Sequence, residues 1–237
     1  DIIPIHVAEG NEAQVLAGAV LILKSEARLG QQISAFKKAN ENNFTGIQAN
    51  SSSMRKLIRE AKRMALLDSS MLIVGETGTG KELLARACHA ASDRADKPFM
   101  TLSCAALPDD AAETELFGSG TAGAVNSKRG IFESADGGTI FFDEVGEMSA
   151  KLQTKVLRVI QDGTFRRIDD EKEIKVNVRI IGSTNRDLLS MVSLGEFRED
   201  LYYRLNVLGL NIPSLRERRA DIVPLAELFV AKFGQRI

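Results

Sequence analysis

The chain has 237 residues, of which 44% are hydrophobic and 27% charged, and its 31 basic and 32 acidic residues give a formal net charge of −1. This composition excludes an intrinsically disordered chain, which combines few apolar residues with a high net charge. It also excludes a globally basic surface for nucleic acid, so any DNA contact must be local or lie outside this chain.

Cysteine usage and apolar runs indicate a cytoplasmic protein that makes no membrane contact. The two cysteines, Cys88 and Cys104, lie in apolar-flanked segments and suit a reducing compartment better than a disulfide scaffold. No apolar run reaches the roughly 18 residues that a membrane span requires. The chain opens at Asp1 without the basic region of a signal peptide.

Residues 1–30 are typical of two strands joined by a turn. Isoleucine and valine dominate Ile2–Val7, Glu9–Glu12 has turn composition, and Ala17–Leu23 is a second apolar run. Two strands cannot bury a core of their own. We therefore expect residues 1–30 to be the carboxyl-terminal edge of a domain whose body lies elsewhere.

Polar residues follow this zone and dominate 31–50. We assign residues 31–45 either to a linker or to a signalling helix that joins a sensor to an enzyme. Polar linkers of this composition are common, and composition does not separate the two interpretations.

Helical and strand patterns alternate over residues 46–220. Continuous apolar strands between helices indicate a parallel sheet covered on both faces, which is an α/β fold. Residues 221–237 begin a further helix at Asp221–Phe233, and we expect it to be an incomplete element. The predicted strands are Met71–Val74, Phe99–Leu102, Thr139–Phe142, Arg179–Ser183 and Val207–Ile212, and helices are predicted from Met54, Lys81 and Leu152.

A glycine-rich motif, G-x-x-x-x-G-K, follows the first of these strands and precedes a helix. Glycines let the backbone curl around phosphate oxygens, and the helix N-terminus then faces the anion. The lysine would bridge the β- and γ-phosphates of a nucleotide. The alternative is a plain glycine turn. The candidate nucleotide ligands are Gly75, Glu76, Thr77, Gly78, Thr79, Gly80, Lys81 and Glu82, the last standing where most such loops have a Mg²⁺-binding hydroxyl.

Two acidic residues, Asp143 and Glu144, end the apolar strand near residue 140. Ligands bind at this edge in parallel sheets. Asp143 would hold Mg²⁺ and Glu144 would polarise an attacking water. The alternative is a helix N-cap with no catalytic role.

Three more polar residues are candidates further along the chain. Asn185 follows a strand and would orient the water or sense the γ-phosphate; otherwise it caps a turn. Arg198 and Arg204 would act as arginine fingers across a subunit boundary, or would form ordinary ion pairs with Glu199 and Asp200.

These motifs together resemble the AAA+ domain of bacterial enhancer-binding transcription regulators. The resemblance covers about Gly46 to Phe233 and implies a ring-forming ATPase, commonly a hexamer, that binds ATP and Mg²⁺. It implies phosphate binding by Gly75–Glu82, Mg²⁺ binding by Asp143 and water activation by Glu144. It also implies a sensor role for Asn185, trans-acting fingers at Arg198 and Arg204, and adenine contacts at Gly46-Ile47. The motifs are GETGTGKE, FESADGGTIFFDE, LQTKVLRVIQDGTFRRI, VRIIGSTNRDL and FREDLYYRLNVLGLNIPSLRER.

Two positions depart from the family's pattern. The family carries a loop containing Gly-Ala-Phe-Thr-Gly-Ala that grips sigma-54, whereas Ser119–Val125 is shorter and has no phenylalanine. Because an aromatic anchor supplies much of the energy of a small interface, we expect that grip to be lost. The missing aromatic also argues against a protein unfoldase. Ser103 replaces an asparagine that restrains the catalytic glutamate, which leaves the coupling between nucleotide and loop open.

The missing sigma-54 loop makes the chain similar to a narrower group, the TyrR-type regulators of aromatic amino-acid genes. Residues 1–30 resemble the end of that group's PAS domain. This resemblance implies self-association promoted by ATP and an aromatic amino-acid effector, control of promoters read by sigma-70 RNA polymerase, and operator binding through a helix-turn-helix absent from this chain. The alternative is a sigma-54 activator with an atypical loop. Arg166 and Arg167 are expected in a solvated loop rather than in a DNA contact.

Overall fold

The computed structural model describes residues 2–7, 15–21, 44–120 and 127–234, and the chain divides into two units, residues 1–41 and 42–237. In the first unit, β1 (Ile2–Val7) and β2 (Val15–Leu21) pair antiparallel, with a register shift between Ile5 and His6. The predicted turn and nearly all of the predicted linker lie outside the described residues.

The second unit alternates helices with strands. Its helices are α1 (Ser52–Ala65), α2 (Lys81–Ala90), α3 (Asp109–Phe117), α4 (Ile131–Ser134), α5 (Ala150–Asp162), α6 (Leu188–Ser193), α7 (Glu199–Leu205) and α8 (Ile222–Gly234). Its strands are β3 (Met71–Val74), β4 (Phe99–Ser103), β5 (Gly118–Ser119), β6 (Lys128–Arg129), β7 (Thr139–Asp143), β8 (Thr164–Arg166), β9 (Glu173–Lys175), β10 (Arg179–Thr184) and β11 (Leu208–Asn211). Short 3-10 turns occupy Val145–Glu147, Leu215–Glu217 and Arg219–Asp221.

Five of these strands form one parallel sheet in the order β11-β3-β10-β7-β4. All five were predicted from apolar runs, and their observed ends differ from the predicted ones by at most one residue. The hairpins β5–β6 and β8–β9 were not predicted, because strands of two or three residues carry no readable periodicity. The sheet order brings the carboxyl ends of β3, β10 and β7 side by side.

Alternate residues of each central strand enter two cores, one on each face of the sheet. Phe142 of β7 packs with Leu152 and Val156 of α5, whereas the neighbouring Phe141 packs on the opposite face with Leu84 of α2. This alternation follows from the two-residue repeat of a strand. Helices cover both faces of the sheet. The polar residues at the ends of the strands therefore lie at its edges.

Capping residues mark the start of one helix and the end of another. Ser51 caps α1 by accepting a hydrogen bond from the Met54 amide at 3.2 Å. Helix α5 ends at Gly163, whose φ of +67° lies in the left-handed region that glycine adopts without penalty. Ser51 also lies beside the chain segment that carries Asp221, because its amide donates to the Asp221 carboxylate at 2.7 Å.

The expectation of a solvated Arg167 is wrong. Its side chain is buried, and its guanidinium binds both carboxylate oxygens of Glu133 at 2.6 Å. Arg166 is exposed. The thiols of Cys88 and Cys104 are also buried, and desolvation raises the pKa of each to about 12. No helix in the described part of the chain has the length and apolarity that crossing a bilayer demands.

Candidate functional site

The glycine-rich loop joins β3 to α2 at the carboxyl edge of the sheet. The Gly75 amide donates to the Thr184 carbonyl at 3.0 Å, which anchors the start of the loop to β10. Gly78 and Gly80 adopt φ values of +82° and +98°, which L side chains rarely adopt. Helix α2 begins directly afterwards, and its first amides have no partner within the helix. This geometry suits an anion at the helix N-terminus.

Lys81 folds back over the loop that precedes it. Its ammonium donates to the carbonyl of Gly75 at 2.9 Å and to that of Glu76 at 3.2 Å. The residue is 7% exposed, so its charge is held at the loop. Thr79 closes the same turn, because its hydroxyl donates to the Glu76 carbonyl at 2.7 Å. A cation is therefore placed where a nucleotide's phosphates would lie.

The two acidic residues at the end of β7 are held from the neighbouring strand. The Ser183 hydroxyl donates to the Asp143 carboxylate, and the Glu144 amide donates to the same hydroxyl oxygen at 3.2 Å. Glu144 adopts φ +60° and ψ +57°, and its side chain makes no capping hydrogen bond to the 3-10 turn that follows. The N-cap alternative therefore has no hydrogen bond to support it.

Asn185 contacts the glycine-rich loop itself. Its side-chain amide donates to the Thr77 hydroxyl at 3.2 Å, although the two residues are 108 positions apart. Asn185 follows β10, the strand between those that carry the loop and Asp143. The structure therefore brings the loop, Asp143, Glu144 and Asn185 together at one edge.

The acidic residues here fit a magnesium ion that is bound jointly with a nucleotide. Mg²⁺ usually takes one or two carboxylates and completes its shell with phosphate oxygens and water. Asp143 supplies one half-buried carboxylate. Within residues 44–120 and 127–234, no group of three or more His, Cys, Asp or Glu side chains could hold a metal ion by itself. Glu82 is exposed and pairs with Arg86 at 2.6 Å.

The two candidate arginine fingers lie on or beside α7. The Arg198 guanidinium pairs with Asp200 through contacts of 3.0 and 2.8 Å, which is the predicted alternative within the chain, and the pair lowers the pKa of Asp200. Arg204 is exposed on α7. Among the described residues, neither arginine forms a hydrogen bond with the glycine-rich loop.

Gln153 holds the backbone of Arg198 and was missed by the sequence analysis. It is 1% exposed on α5, where its side-chain amide donates to the carbonyls of Met148 and Glu196 and its oxygen accepts from the Arg198 amide at 2.9 Å. A polar residue on the apolar face of a predicted amphipathic helix was the available signal. Ser183 carried a similar signal, as a hydroxyl within an apolar strand.

Two further arginines contact the glycine-rich loop and were also missed. Arg216 pairs with Glu76 at 2.8 and 2.5 Å, which lowers the pKa of that carboxyl. Arg218 donates to the Thr79 carbonyl at 3.0 Å. Both arginines lie a few residues after β11. Because β11 pairs with β3, the strand that leads into the loop, these residues come close to the loop in space.

The base of the loop that includes residues 119–125 is held by a strand pair and by hydrogen bonds, and residues 121–126 lie outside the described part. Strands β5 and β6 close it, and a side chain at Gly118 would collide with the Lys128 carbonyl. The Ile168 amide donates to the Gly118 carbonyl and its own carbonyl accepts from the Gly120 amide, at 3.0 and 3.1 Å. The segment after β8 therefore holds the base of the loop.

Comparison with known families and proteins agrees with this geometry. The profile of the Sigma-54 interaction domain matches residues 47–211. The chain is 51% identical over 235 residues to the HTH-type transcriptional regulatory protein TyrR of Enterobacter agglomerans, which covers 98% of this chain and 45% of that protein. It is 52% identical over 186 residues to the Nif-specific regulatory protein of Azotobacter vinelandii, covering 77% of this chain and 36% of that protein.

Solved structures give the same result. The crystal structure of NtrX from Brucella abortus in complex with ATP superposes with a TM-score of 0.77 at 38% identity, and covers 89% of this chain and 46% of that one. NtrX in complex with ADP also gives a TM-score of 0.77. The chain spans less than half the length of the relatives described here.

Proposed function

Because the chain belongs to the family of Sigma-54 interaction domains and has the AAA+ P-loop NTPase fold, we propose that it binds ATP with Mg²⁺ as part of a TyrR-type transcription regulator. The observation that carries the proposal is the meeting of the glycine-rich loop, Asp143, Glu144 and Asn185 at three adjacent strand ends. An ATP-bound relative with the same fold supports the choice of nucleotide.

Each site residue has a proposed role. The loop residues Gly75–Glu82 bind the phosphates, with Lys81 neutralising their charge. Asp143 holds Mg²⁺, which supplies charge neutralisation for phosphoryl transfer when bound. Glu144 activates water and Asn185 senses the γ-phosphate. Arg198 and Arg204 complete the site of a neighbouring subunit, which would make ATP turnover depend on assembly.

The proposed organisation follows the sequence expectations. Residues 1–30 are the edge of a PAS-like sensor, residues 31–45 a linker or signalling helix, residues 46–220 the AAA+ core, and residues 221–237 the start of its helical lid. The protein acts in the cytoplasm as a homo-oligomer, from dimer to hexamer. Its partners are operator DNA, read by a helix-turn-helix outside this chain, and RNA polymerase.

Regulation is proposed to follow the TyrR pattern. ATP and an aromatic amino acid promote self-association, which controls sigma-70 promoters by repression or activation. The identity to TyrR over nearly the whole chain supports this, as does a loop without the aromatic anchor. Sedimentation velocity with ATP, with tyrosine, with both and with neither tests it. Equal assembly under all four conditions would contradict the proposal.

A second candidate is a sigma-54 activator with an unusual loop. The family match and the 52% identity to a Nif-specific regulatory protein favour it. To separate the two candidates, the chain is incubated with purified sigma-54 and ADP–aluminium fluoride, beside a variant with Gly-Ala-Phe-Thr-Gly-Ala grafted over Ser119–Ala124. A trapped complex with the natural loop would establish the activator. A complex with the graft alone would support the TyrR-type regulator.

A further inference from the structure

Residues 215–221, which we call the arginine turn, connect the last strand of the sheet to helix α8. The turn consists of two consecutive 3-10 segments, Leu215–Glu217 and Arg219–Asp221. It contacts the glycine-rich loop at one end and the start of α1 at the other. The roles proposed above do not explain either contact.

Arg218 makes the contact with the glycine-rich loop. Its side chain donates from Nη2 to the Thr79 carbonyl at 3.0 Å, across 139 positions of sequence. The residue is 6% exposed, and its Nε is the buried side-chain nitrogen or oxygen that lacks a hydrogen-bond partner within the described residues. An unsatisfied buried donor is energetically unfavourable. The guanidinium is thus kept beside the loop at an energetic cost, which is typical of functional positions.

The contact with the Thr79 carbonyl also affects the next amide, because the peptide bond is planar. The carbonyl of Thr79 and the amide of Gly80 belong to one rigid unit, so the direction of one determines the direction of the other. Gly80 has a φ of +98°, immediately before α2. By holding the Thr79 carbonyl, Arg218 therefore sets the direction of an N–H in the loop that is proposed to bind phosphate.

Asp221 makes the contact at the other end of the turn. It is fully buried, and its carboxylate accepts hydrogen bonds from the amides of Asn50 and Ser51 at 2.5 and 2.7 Å and from the Ser51 hydroxyl at 2.7 Å. Ser51 is the N-cap of α1. Asp221 thus holds the backbone immediately before α1. This segment follows residues 46 and 47, at which adenine contacts are expected.

Arg218 and Asp221 are joined by a short, closed piece of backbone. The Asp221 amide donates to the Arg218 carbonyl at 2.9 Å, which closes a single 3-10 turn between them. Helix α8 begins at the next residue, Ile222. Arg218, Asp221 and the first residue of α8 therefore lie within a single turn of backbone.

We propose that Arg218 is a positioning residue that links nucleotide binding at the glycine-rich loop to Asp221, and through it to the starts of α1 and α8. The inference rests on the proposed nucleotide site and assigns a regulatory connection to it. It predicts that a bound nucleotide stabilises residues 50–57 and 219–226 only while the Arg218 contact is intact.

The nearby Arg216 contact does not explain the same behaviour. The side chains of Arg216 and Glu76 are 70% and 55% exposed, and exposed ion pairs contribute little because water and salt screen them. Arg219 is exposed in the same turn and has the same charge as Arg218. Arg219→Ala is therefore a matched control for loss of charge at this place.

The test compares the parent chain with Arg218→Gln, Arg218→Lys, Arg219→Ala and Lys81→Ala. Fluorescent ADP measures nucleotide affinity, and amide hydrogen exchange with and without saturating ADP measures local stability. We expect Arg218→Gln to weaken ADP binding about tenfold and to abolish ADP-dependent protection at residues 50–57, while protection at residues 76–84 is retained. Arg218→Lys, which keeps a charged donor, should recover part of both effects, and Arg219→Ala should match the parent.

The outcomes distinguish this inference from the proposed function. Parent-like ADP affinity in Lys81→Ala would overturn the nucleotide site itself. Loss of binding in Lys81→Ala together with a parent-like exchange pattern in Arg218→Gln would overturn only the role of Arg218. Absence of ADP-dependent protection at residues 50–57 in the parent would also overturn it. If Arg218→Gln does not fold, as judged by its thermal unfolding, Arg218→Lys becomes the deciding variant. ADP-dependent protection at residues 50–57 equal to that of the parent would then contradict the need for the guanidinium.

Discussion

The Ser183 hydroxyl donates a hydrogen bond to the Asp143 carboxylate from the neighbouring strand, and the same oxygen accepts the amide of Glu144. Ser183 is fully buried, so its hydroxyl is shielded from water. One side chain therefore contacts both the carboxylate of the proposed metal ligand and the backbone of the proposed catalytic base.

Substitution Ser183→Ala should weaken the metal dependence of ATP binding. The Asp143 carboxylate would lose its partner and the Glu144 amide would be left unsatisfied. Loss of such supporting contacts typically costs about 10- to 100-fold in metal affinity or activity. Titrating Mg²⁺ at fixed ATP should show a half-saturation point raised by about tenfold or more. Ser193→Ala, an exposed hydroxyl on α6, should leave it unchanged. An unaltered Mg²⁺ titration in Ser183→Ala would show that the contact is only structural.

Substitution Glu144→Gln should separate ATP binding from ATP turnover. The amide keeps the shape of the side chain but cannot accept a proton, and removing a general base typically costs about 10²- to 10⁴-fold in rate. We expect ATP affinity within about twofold of the parent and loss of phosphate release. Glu147→Gln is the matched control, because Glu147 is exposed and pairs with Arg186 at 2.9 Å. Phosphate release at the parent's rate would return Glu144 to a structural role.

Substitution of Arg198 or Arg204 by alanine should reduce ATP turnover only where subunits meet. In the parent protein, each arginine would stabilise the negative charge of phosphoryl transfer in the nucleotide site of a neighbouring subunit. Phosphate release measured over a range of protein concentrations should rise with assembly in the parent and stay low in both variants. Asp200→Asn is the informative control for Arg198, since it breaks the same ion pair while keeping the arginine. Equal deficits in Asp200→Asn and Arg198→Ala would indicate that the pair serves the fold alone.

Stability should fall with acid because of one buried histidine. His89 is 4% exposed, its Nδ1 lies 2.9 Å from the Thr139 hydroxyl, and burial lowers its pKa from 6.5 to about 4. Below pH 6.5 the unfolded chain takes up a proton that the folded chain does not accept until about pH 4, so stability is lost between these values. The histidine should contribute about 2 kcal/mol of loss between pH 7 and pH 5, at roughly 1.4 kcal/mol per pKa unit.

Urea unfolding at pH 7 and pH 5 measures this loss. The non-titrating variant His89→Gln keeps a side chain that can bond Thr139 and should show a shallower dependence on pH. Identical changes in unfolding free energy between pH 7 and pH 5 in parent and variant would assign the acid sensitivity to other groups.

Much of the sheet was predictable because its signals are local. The strand Met71–Val74 is apolar throughout and was predicted at its observed ends, and the loop that follows has its own glycine pattern. Asp143 and Asn185 were recognised for the same reason, as polar residues at the ends of apolar strands. The buried partners of these residues were missed, since a serine in a strand or a glutamine in a helix has no distinctive local pattern.

The amino-acid sequence by itself determined the α/β class, the family and the candidate residues of the proposed nucleotide site, because periodicity and short motifs are properties of neighbouring residues. Only the tertiary structure decided which strands lie side by side, and therefore which distant residues meet. Arg218 and Thr79 are 139 positions apart, and Asp221 and Ser51 are 170 apart. These contacts arise because β11 pairs with β3, although almost the whole domain separates them in the chain. Strand order, rather than chain order, places the arginine turn between the glycine-rich loop and the start of α1.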